Sequence, residues 1–312
     1  MNLWYTGILR NPMRVFENVG MSGRYMVDSH KSPLITISHK KPDGNVSHSI
    51  QVPQFGLGVF LMKEDGECLK SCSWALENGY RHIDTAAMYE NEVEVGMSIR
   101  ESSLPREEIF VTTKLRRGDA TGYDATIEAF NKSMSRLDIE YIDLYLVHAP
   151  PEDIEHREDV WRAMEDILES GKARAIGVSN YGSHHLEELM RNARYGPSVN
   201  QIEIHPWLQR EDLRSSTLSA GAVPMAYSPL ARGHKVSDPE LANIANRLGC
   251  SPAQVAIKWC FDQGCITIPK SSNKDRIIEN IDSLNIDLSS EKEALLNMNE
   301  DYVSGWDPTC QP

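Results

Sequence analysis

The sequence predicts an α/β fold of the (β/α)8 TIM-barrel class, preceded by an N-terminal β-hairpin. Strand-like segments recur along the chain with amphipathic helical stretches between them, the pattern of a parallel sheet covered by helices. The chain has 312 residues with 40% apolar content, enough to fill one barrel of ~250 residues with additions. No Gly-x-Gly-x-x-Gly opens a helix after a strand, so a Rossmann-type domain is not indicated.

The hairpin opens the regular part of the chain. Residues 35–38 and 47–52 read as strands, and Asp43-Gly44 between them is a turn signal. We therefore assign residues 34–312 to one barrel domain.

Residues 1–33 are predicted to be an N-terminal extension. They contain Pro12, scattered aromatic residues and three arginines, with few acids. The extension is either a disordered or packing segment or a mitochondrial targeting segment, and the sequence leaves both interpretations open.

Eight strand candidates follow the hairpin, at residues 56–60, 82–86, 110–114, 142–148, 173–179, 198–204, 223–228 and 266–270. The stretches between them have helical apolar spacing, as at Trp161, Met164 and Leu168 ahead of Gly171. Such stripes are more typical of faces that pack on a barrel than of cofactor sites.

Composition narrows the function classes. Lys and Arg total 32 against 45 Asp and Glu, a net charge of −13, which argues against nucleic-acid or membrane partners. The six cysteines form no Cys-x-x-Cys pair and have no histidines at zinc-ligand spacing, so no metal site is predicted. No apolar run reaches the ~18 residues of a membrane span, and no signal peptide opens the chain. We expect a cytoplasmic protein, or a mitochondrial one if the extension is a targeting segment.

Four polar residues stand at or just after the ends of predicted strands: Asp84, Tyr89, Lys114 and His148. Tyr89 comes five residues after Asp84, where a strand gives way to a helix predicted over residues 90–100. Barrel enzymes carry their chemistry at the carboxyl ends of their strands, so these four residues predict one site.

The four side chains suit proton transfer to an oxygen. A phenol titrates near 10 and donates poorly at neutral pH unless a cation stabilises the phenolate, and Lys114 supplies that cation. Asp84 would keep Lys114 protonated, while a neutral His148 would donate a hydrogen bond to a substrate oxygen. The competing hypothesis is a barrel aldolase that forms a Schiff base on Lys114, and the presence of Tyr89 fits that hypothesis less well.

Asp, Tyr, Lys and His in this order resemble the catalytic tetrad of the aldo-keto reductases. They lie in the strings Tyr-Arg-His-Ile-Asp-Thr-Ala (80–86), Thr-Lys-Leu (113–115) and Leu-Val-His (146–148). The resemblance runs from about residue 34 to the end, through residues 175–180, 200–203, 226–230 and 268–271. It points to the prostaglandin F synthase and diketogluconate reductase-like branch. It also supports the count of eight strands and implies that the hairpin closes the bottom of the barrel.

The resemblance implies NADPH as the cofactor. Ser179, Asn180 and Gln201 would bond the nicotinamide carboxamide and Tyr227 would stack on its ring. Further contacts are implied for the pyrophosphate and adenine, at Ser228, Leu230, Glu279 and Asn280.

Cations near a helix start predict a site for the ribose 2′-phosphate. Lys270 and Arg276 carry the charge, and Ser271 and Ser272 lie between them, where helix amides also favour an anion. The ammonium group of Lys270 together with the planar guanidinium of Arg276 would favour NADPH over NADH. The alternative is that the two cations serve surface ion pairs.

The substrate side departs from the family. Ala149 and Phe60 stand where tryptophans are common, and Arg116 replaces an aromatic residue. We expect Trp207 to keep one wall of the pocket aromatic and the short tail after Trp306 to add little cover. Arg116 and its neighbour Arg117 either face solvent or turn inward and favour anionic substrates.

The function expected is NADPH-dependent reduction of aldehydes or ketones by a monomer whose partner is a small carbonyl compound. The alternative is a non-catalytic NADP(H)-binding sensor or structural protein on the same barrel.

Overall fold

A computed structural model describes residues 32–312. Most of the predicted extension, residues 1–31, therefore lies outside the described residues. The described chain opens with a hairpin of two antiparallel strands, β1 (Leu34–Lys40) and β2 (Val46–Pro53). At the turn Gly44 has φ +82°, and the Asp43 carboxylate accepts the Asn45 amide at 2.9 Å. The predicted hairpin is confirmed.

Eight parallel strands follow in a single sheet whose spatial order is the order of the sequence. They are β3 (Leu57–Gly58), β4 (His82–Asp84), β5 (Phe110–Leu115), β6 (Ile142–Val147), β7 (Ala173–Ser179), β8 (Val199–Glu203), β9 (Val223–Tyr227) and β10 (Ile266–Thr267).

The sheet closes on itself between its first and last strands. Gly58 bridges to Lys270 in parallel, and its amide donates to the Pro269 carbonyl at 3.0 Å. A Cβ on Gly58 would stand 3.0 Å from the Ile268 carbonyl oxygen, so glycine suits this close approach. The (β/α)8 barrel predicted from the sequence is confirmed.

Ten α-helices occupy the described chain, and most of them connect successive strands. They are α1 (Glu67–Glu77), α2 (Glu92–Glu101), α3 (Tyr123–Leu137), α4 (Arg157–Glu169), α5 (Ser183–Asn192), α6 (Glu211–Ser219), α7 (Pro239–Leu248), α8 (Pro252–Asp262), α9 (Lys274–Asp282) and α10 (Lys292–Leu296). The predicted stripe on α4 is buried, with Trp161, Met164 and Leu168 in the main apolar cluster. Within residues 32–312, no helix has the length and apolar character needed to cross a membrane.

The hairpin covers the amino end of the barrel. Ile37 and Val52 are fully buried in one cluster with Phe110, Val199 and Ile266, the first residues of three strands. Burying this apolar surface stabilises the closure, at about 25 cal/mol per Å². The opposite, carboxyl end is left for polar side chains.

One boundary near Asp84 differs from the prediction. The helix expected over residues 90–100 begins at Glu92, and Ala87–Tyr89 forms a separate 3₁₀ turn. Glu90 ends that turn with φ +57°. Tyr89 therefore lies on a short turn above β4 rather than beside the first turn of a helix.

Candidate active site

The four predicted residues meet at the carboxyl end of the barrel. Lys114 donates from Nζ to Asp84 Oδ1 at 2.6 Å and to the Thr85 carbonyl at 2.9 Å. The same Nζ lies 3.3 Å from the Tyr89 hydroxyl. The ring of His148 packs edge-on against that of Tyr89, with centroids 5.6 Å apart. One lysine thus joins a carboxylate to a phenol.

The Asp84–Lys114 pair is fully enclosed. Lys114 has no exposed surface and Asp84 has 1%. Burial raises the pKa of Asp84 and lowers the pKa of Lys114, and their mutual attraction opposes both shifts. A contact of 2.6 Å with further hydrogen bonds to each partner favours the charged pair.

The Tyr89 phenol is held neutral. Burial raises the pKa of Tyr89 well above its usual range and the charge of Asp84 raises it further, whereas the charge of Arg232 opposes the rise. The expected stabilisation of the phenolate by Lys114 does not bring the pKa of Tyr89 below its usual range in the protein as described. The phenol remains a proton carrier, and Lys114 lies in place to stabilise the phenolate after the proton has left.

His148 is neutral, as expected. Burial lowers its pKa well below the usual range, and Lys114 adds to the effect. Its Nδ1 is buried and has no hydrogen-bond partner among the described residues. A neutral imidazole of this kind can offer one N–H to an oxygen near Tyr89.

The predicted nicotinamide contacts form one connected group beside the tetrad. The Tyr227 hydroxyl donates to Asn180 Oδ1 at 2.9 Å, and Asn180 Nδ2 donates to the His148 carbonyl at 2.9 Å. The Ser179 hydroxyl donates to the Gln201 carbonyl at 2.8 Å. These hydrogen bonds hold Ser179, Asn180 and Gln201 in place at the ends of β7, β8 and β9, and we call these three residues the polar shelf.

Gln201 also contacts the tetrad, a contact that the sequence did not predict. Its Nε2 donates to Asp84 Oδ2 at 2.6 Å, so Lys114 and Gln201 between them bond both oxygens of Asp84. The two residues are 117 positions apart in sequence, and no local pattern signals such a contact. Gln201 therefore orients the acid that orients the lysine.

The turn after β9 has strained backbone. Ser228 has φ +49°, Ala231 φ +45° and Arg232 φ +54°. The amide of Ala231 donates to the Ser228 carbonyl at 2.8 Å, and that of Gly233 to the Leu230 carbonyl at 2.7 Å. Non-glycine residues in this region cost of order 1 to 3 kcal/mol each and cluster at functional sites.

The predicted phosphate cradle is exposed and lies at the start of α9. Lys270 and Arg276 are exposed, and within residues 32–312 neither lies within 4.0 Å of a carboxylate. The Ser271 hydroxyl accepts the Asn273 amide at 3.2 Å, and Asn273 caps the helix by accepting the Arg276 amide at 3.0 Å. Two cations at a helix N-terminus, without a carboxylate partner among residues 32–312, fit a phosphate group.

Three residues flank this cradle. The Lys63 amide lowers the pKa of Glu67, with help from the Ser272 hydroxyl and the charge of Lys270, so an acid borders the cations. Glu279 is half-buried and accepts Gln254 Nε2 on its carbonyl at 3.0 Å. The Asn280 side chain is buried, and its carbonyl accepts the Ser283 hydroxyl at 2.6 Å.

On the substrate side, the Phe60 ring lies 5.0 Å from that of Tyr89, and Ala149 next to His148 is 1% exposed. The expectation for Trp207 is wrong. This indole has no exposed surface and donates to Asp238 Oδ2 at 3.1 Å, within the apolar cluster formed with α7 and α8. It supports the barrel wall, and the pocket that it borders with Asp238 and Met298 includes none of the four tetrad residues in its lining.

The tail corrects a second expectation, since it covers part of this end of the barrel. Arg117 stacks on Trp306 at 5.2 Å and donates to Gln311 Oε1 at 2.9 Å. It also donates to the Pro150 carbonyl at 3.1 Å and pairs with Glu152 at 3.2 Å. Arg117 therefore ties the tail to the segment after β6.

Comparison with known proteins agrees with this geometry. A sequence model described as "Aldo/keto reductase family" matches residues 63–298. Glyoxal reductase of Bacillus subtilis is 44% identical over 84% of this chain and 94% of its own length. The 9,11-endoperoxide prostaglandin H2 reductase of Trypanosoma cruzi is 44% identical over 84% of this chain and 93% of its own.

A solved structure gives the same result. The Bombyx mori aldo-keto reductase in complex with NADP superposes with a TM-score of 0.78 at 35% identity. The match covers 89% of this chain and 96% of that one.

Proposed function

Because the chain belongs to the aldo/keto reductase family, we propose that it reduces aldehydes and ketones to alcohols with NADPH. The observation that carries the proposal is the position of Lys114, whose Nζ contacts both the Asp84 carboxylate and the Tyr89 hydroxyl. This arrangement gives a neutral phenol a buried cation for the charge left behind when it donates its proton. The same contacts occupy the lysine, which argues against a Schiff base.

NADPH, when bound, supplies the hydride that reaches the carbonyl carbon. The shelf of Ser179, Asn180 and Gln201 would hold its carboxamide, with Tyr227 against the ring. Lys270 and Arg276 would hold the 2′-phosphate, a choice supported by their lack of ion pairs among the described residues. The relative from Bombyx mori, which was solved with NADP, supports the same cofactor.

The residues of the chain perform the proton transfer. The substrate oxygen would lie between the Tyr89 hydroxyl and His148, whose neutral ring donates a hydrogen bond to it. Tyr89 then donates its proton to this oxygen as negative charge develops there. Lys114 stabilises the resulting phenolate, and Asp84, held by Gln201, keeps Lys114 charged and in place.

Loss of NADPH absorbance with a panel of simple aldehydes tests the proposal. Steady oxidation of NADPH that depends on both aldehyde and enzyme is the expected result. The alternative of a non-catalytic NADP(H) sensor predicts tight NADPH binding with no turnover for any carbonyl compound. Binding measured by cofactor fluorescence therefore separates the two functions.

Two further proposals concern the setting of the enzyme. We propose that it acts as a monomer and in the cytoplasm, with a mitochondrial location as the alternative if residues 1–33 direct import. Light scattering during gel filtration tests the first. Imaging of the full chain against a version lacking those residues tests the second.

A further inference from the structure

Arg232 places a positive charge at the carboxyl end of the barrel, in the 3₁₀ turn Ala231–Gly233 after β9. Its φ of +54° is in the left-handed region, where a residue with a long side chain is uncommon. Two hydrogen bonds in the turn, described above, hold this backbone. The fold therefore fixes the backbone from which this side chain extends.

The guanidinium lies on the same side as the tetrad. Arg232 Cζ is 5.8 Å from the centroid of the Phe60 ring, which in turn lies 5.0 Å from the Tyr89 ring. Gly305 in the tail makes room for it, because a Cβ at that position would stand 2.7 Å from Arg232 Cζ. The charge of Arg232 also opposes the rise in the pKa of both Tyr89 and Tyr227.

This cation has no acidic partner in the described part of the chain. Within residues 32–312, no carboxylate lies within 4.0 Å of the Arg232 guanidinium, although the whole sequence carries a net charge of −13. Arg117, which the sequence offered for an anionic substrate, is committed to Glu152, Pro150 and Gln311. Arg232 is exposed and open to a ligand.

We propose that Arg232 binds an anionic substituent of the substrate, so that the site prefers carbonyl compounds that carry a carboxylate. This inference rests on the proposed carbonyl reduction. Phe60 would pack against the body of such a substrate, between the carbonyl group at Tyr89 and the carboxylate at Arg232. A planar guanidinium matches a carboxylate with two parallel hydrogen bonds.

A matched pair of aldehydes tests the inference. 4-Carboxybenzaldehyde and methyl 4-formylbenzoate have similar shape but differ in charge, and the electron-withdrawing ester group makes the ester the intrinsically more reactive aldehyde. The wild-type enzyme should show the higher kcat/KM with the acid. Arg232→Met should lower kcat/KM for the acid by about 10- to 100-fold, the value of a charge-assisted hydrogen bond, and for the ester far less. Arg232→Lys should retain part of the preference.

The other outcomes are distinct. Equal losses for acid and ester, with weaker NADPH binding by fluorescence, would assign Arg232 to the cofactor pyrophosphate and overturn the inference. An acid-to-ester ratio of kcat/KM that is the same in the wild-type enzyme and in Arg232→Met overturns it while leaving the proposed function intact. If neither aldehyde is reduced, the proposed function fails. Calorimetry with NADP⁺ and the corresponding alcohols then still decides whether the carboxylate binds through Arg232.

Discussion

The two ends of the barrel both bury polar side chains, but they treat charge differently. At the carboxyl end, Asp84 and Lys114 form an ion pair that also contacts Tyr89 and Gln201. At the amino end, His39 and His82 are buried as neutral rings, and the buried carboxylate of Asp143, near the start of β6, pairs with Arg106 at 2.7 Å and Arg174 at 2.8 Å. The carboxyl end thus encloses both members of its ion pair beside a phenol, whereas the amino end pairs its buried carboxylate with arginines that reach solvent.

The amino end shows the neutral case in two residues. His39 lies 2.7 Å from the Gly196 carbonyl and accepts the Ile176 amide at 3.3 Å, and burial lowers its pKa to about 4. His82 lies 2.9 Å from the Thr112 hydroxyl, and burial lowers its pKa to about 3. At the bottom of the barrel, both rings serve in place of water as hydrogen-bond partners of backbone or hydroxyl groups.

Breaking the charged pair gives the largest expected effect. Lys114→Met leaves Asp84 buried without its cation, which costs about 3 to 5 kcal/mol of unfolding free energy. It also removes the charge that stabilises the Tyr89 phenolate, so kcat should fall by at least about 10²-fold. Denaturant unfolding and steady-state kinetics measure the two effects.

A double variant separates stability from chemistry. Asp84→Asn with Lys114→Met removes both charges and should regain much of the lost unfolding free energy. Its activity should stay low, because no cation remains beside Tyr89. Recovery of turnover in the double variant would show that the pair serves the fold alone.

The exposed cations at the same end should act on binding without affecting stability. The double variant Lys270→Ala and Arg276→Ala should weaken NADPH binding by about 10²- to 10⁴-fold. NADH binding should weaken far less, since only NADPH carries the 2′-phosphate. Glu67→Gln, which removes the neighbouring negative charge, should tighten the binding of NADPH relative to that of NADH. Fluorescence titration of both cofactors checks this, and equal losses for the two would contradict the cradle.

Protonation of His39 at the amino end should have the smallest effect, and this effect on unfolding free energy appears only at low pH. The pKa of His39 is lower in the folded than in the unfolded protein, so its contribution to stability is complete above pH 6.5 and is lost as pH falls toward 4. The loss reaches about 3 kcal/mol. His39→Gln should flatten the fall in unfolding free energy between these pH values while leaving turnover at neutral pH nearly unchanged. If the unfolding free energy of the variant falls with pH as steeply as that of the wild type, other groups cause the acid sensitivity.

The strands and the four tetrad residues were predictable because their signals are local. Each tetrad residue stands at or just after the end of an apolar segment, and a parallel barrel brings such ends together. The start of α2 was missed, since a 3₁₀ turn and a helix share the same polar residues near Glu90. Boundaries of this kind depend on backbone angles that composition does not encode.

The remaining errors concern contacts between distant parts of the chain. Gln201 reaches Asp84 across the barrel, and Trp207 turns into a core formed with later helices. Arg232 follows Ser-Pro-Leu in a turn whose left-handed backbone was not evident from its residues. Its neighbour Gly233 was the available signal for a sharp turn, but it did not indicate where the arginine would point.

Tyr89→Phe tests the central claim most directly, because it removes the proton donor and keeps the ring that packs against Phe60 and His148. We predict that turnover of a simple aldehyde falls by about 10²- to 10⁴-fold, the usual value of general acid catalysis. NADPH affinity by fluorescence titration should change little. A variant that keeps more than about a tenth of wild-type turnover would contradict the assignment of Tyr89 as the acid.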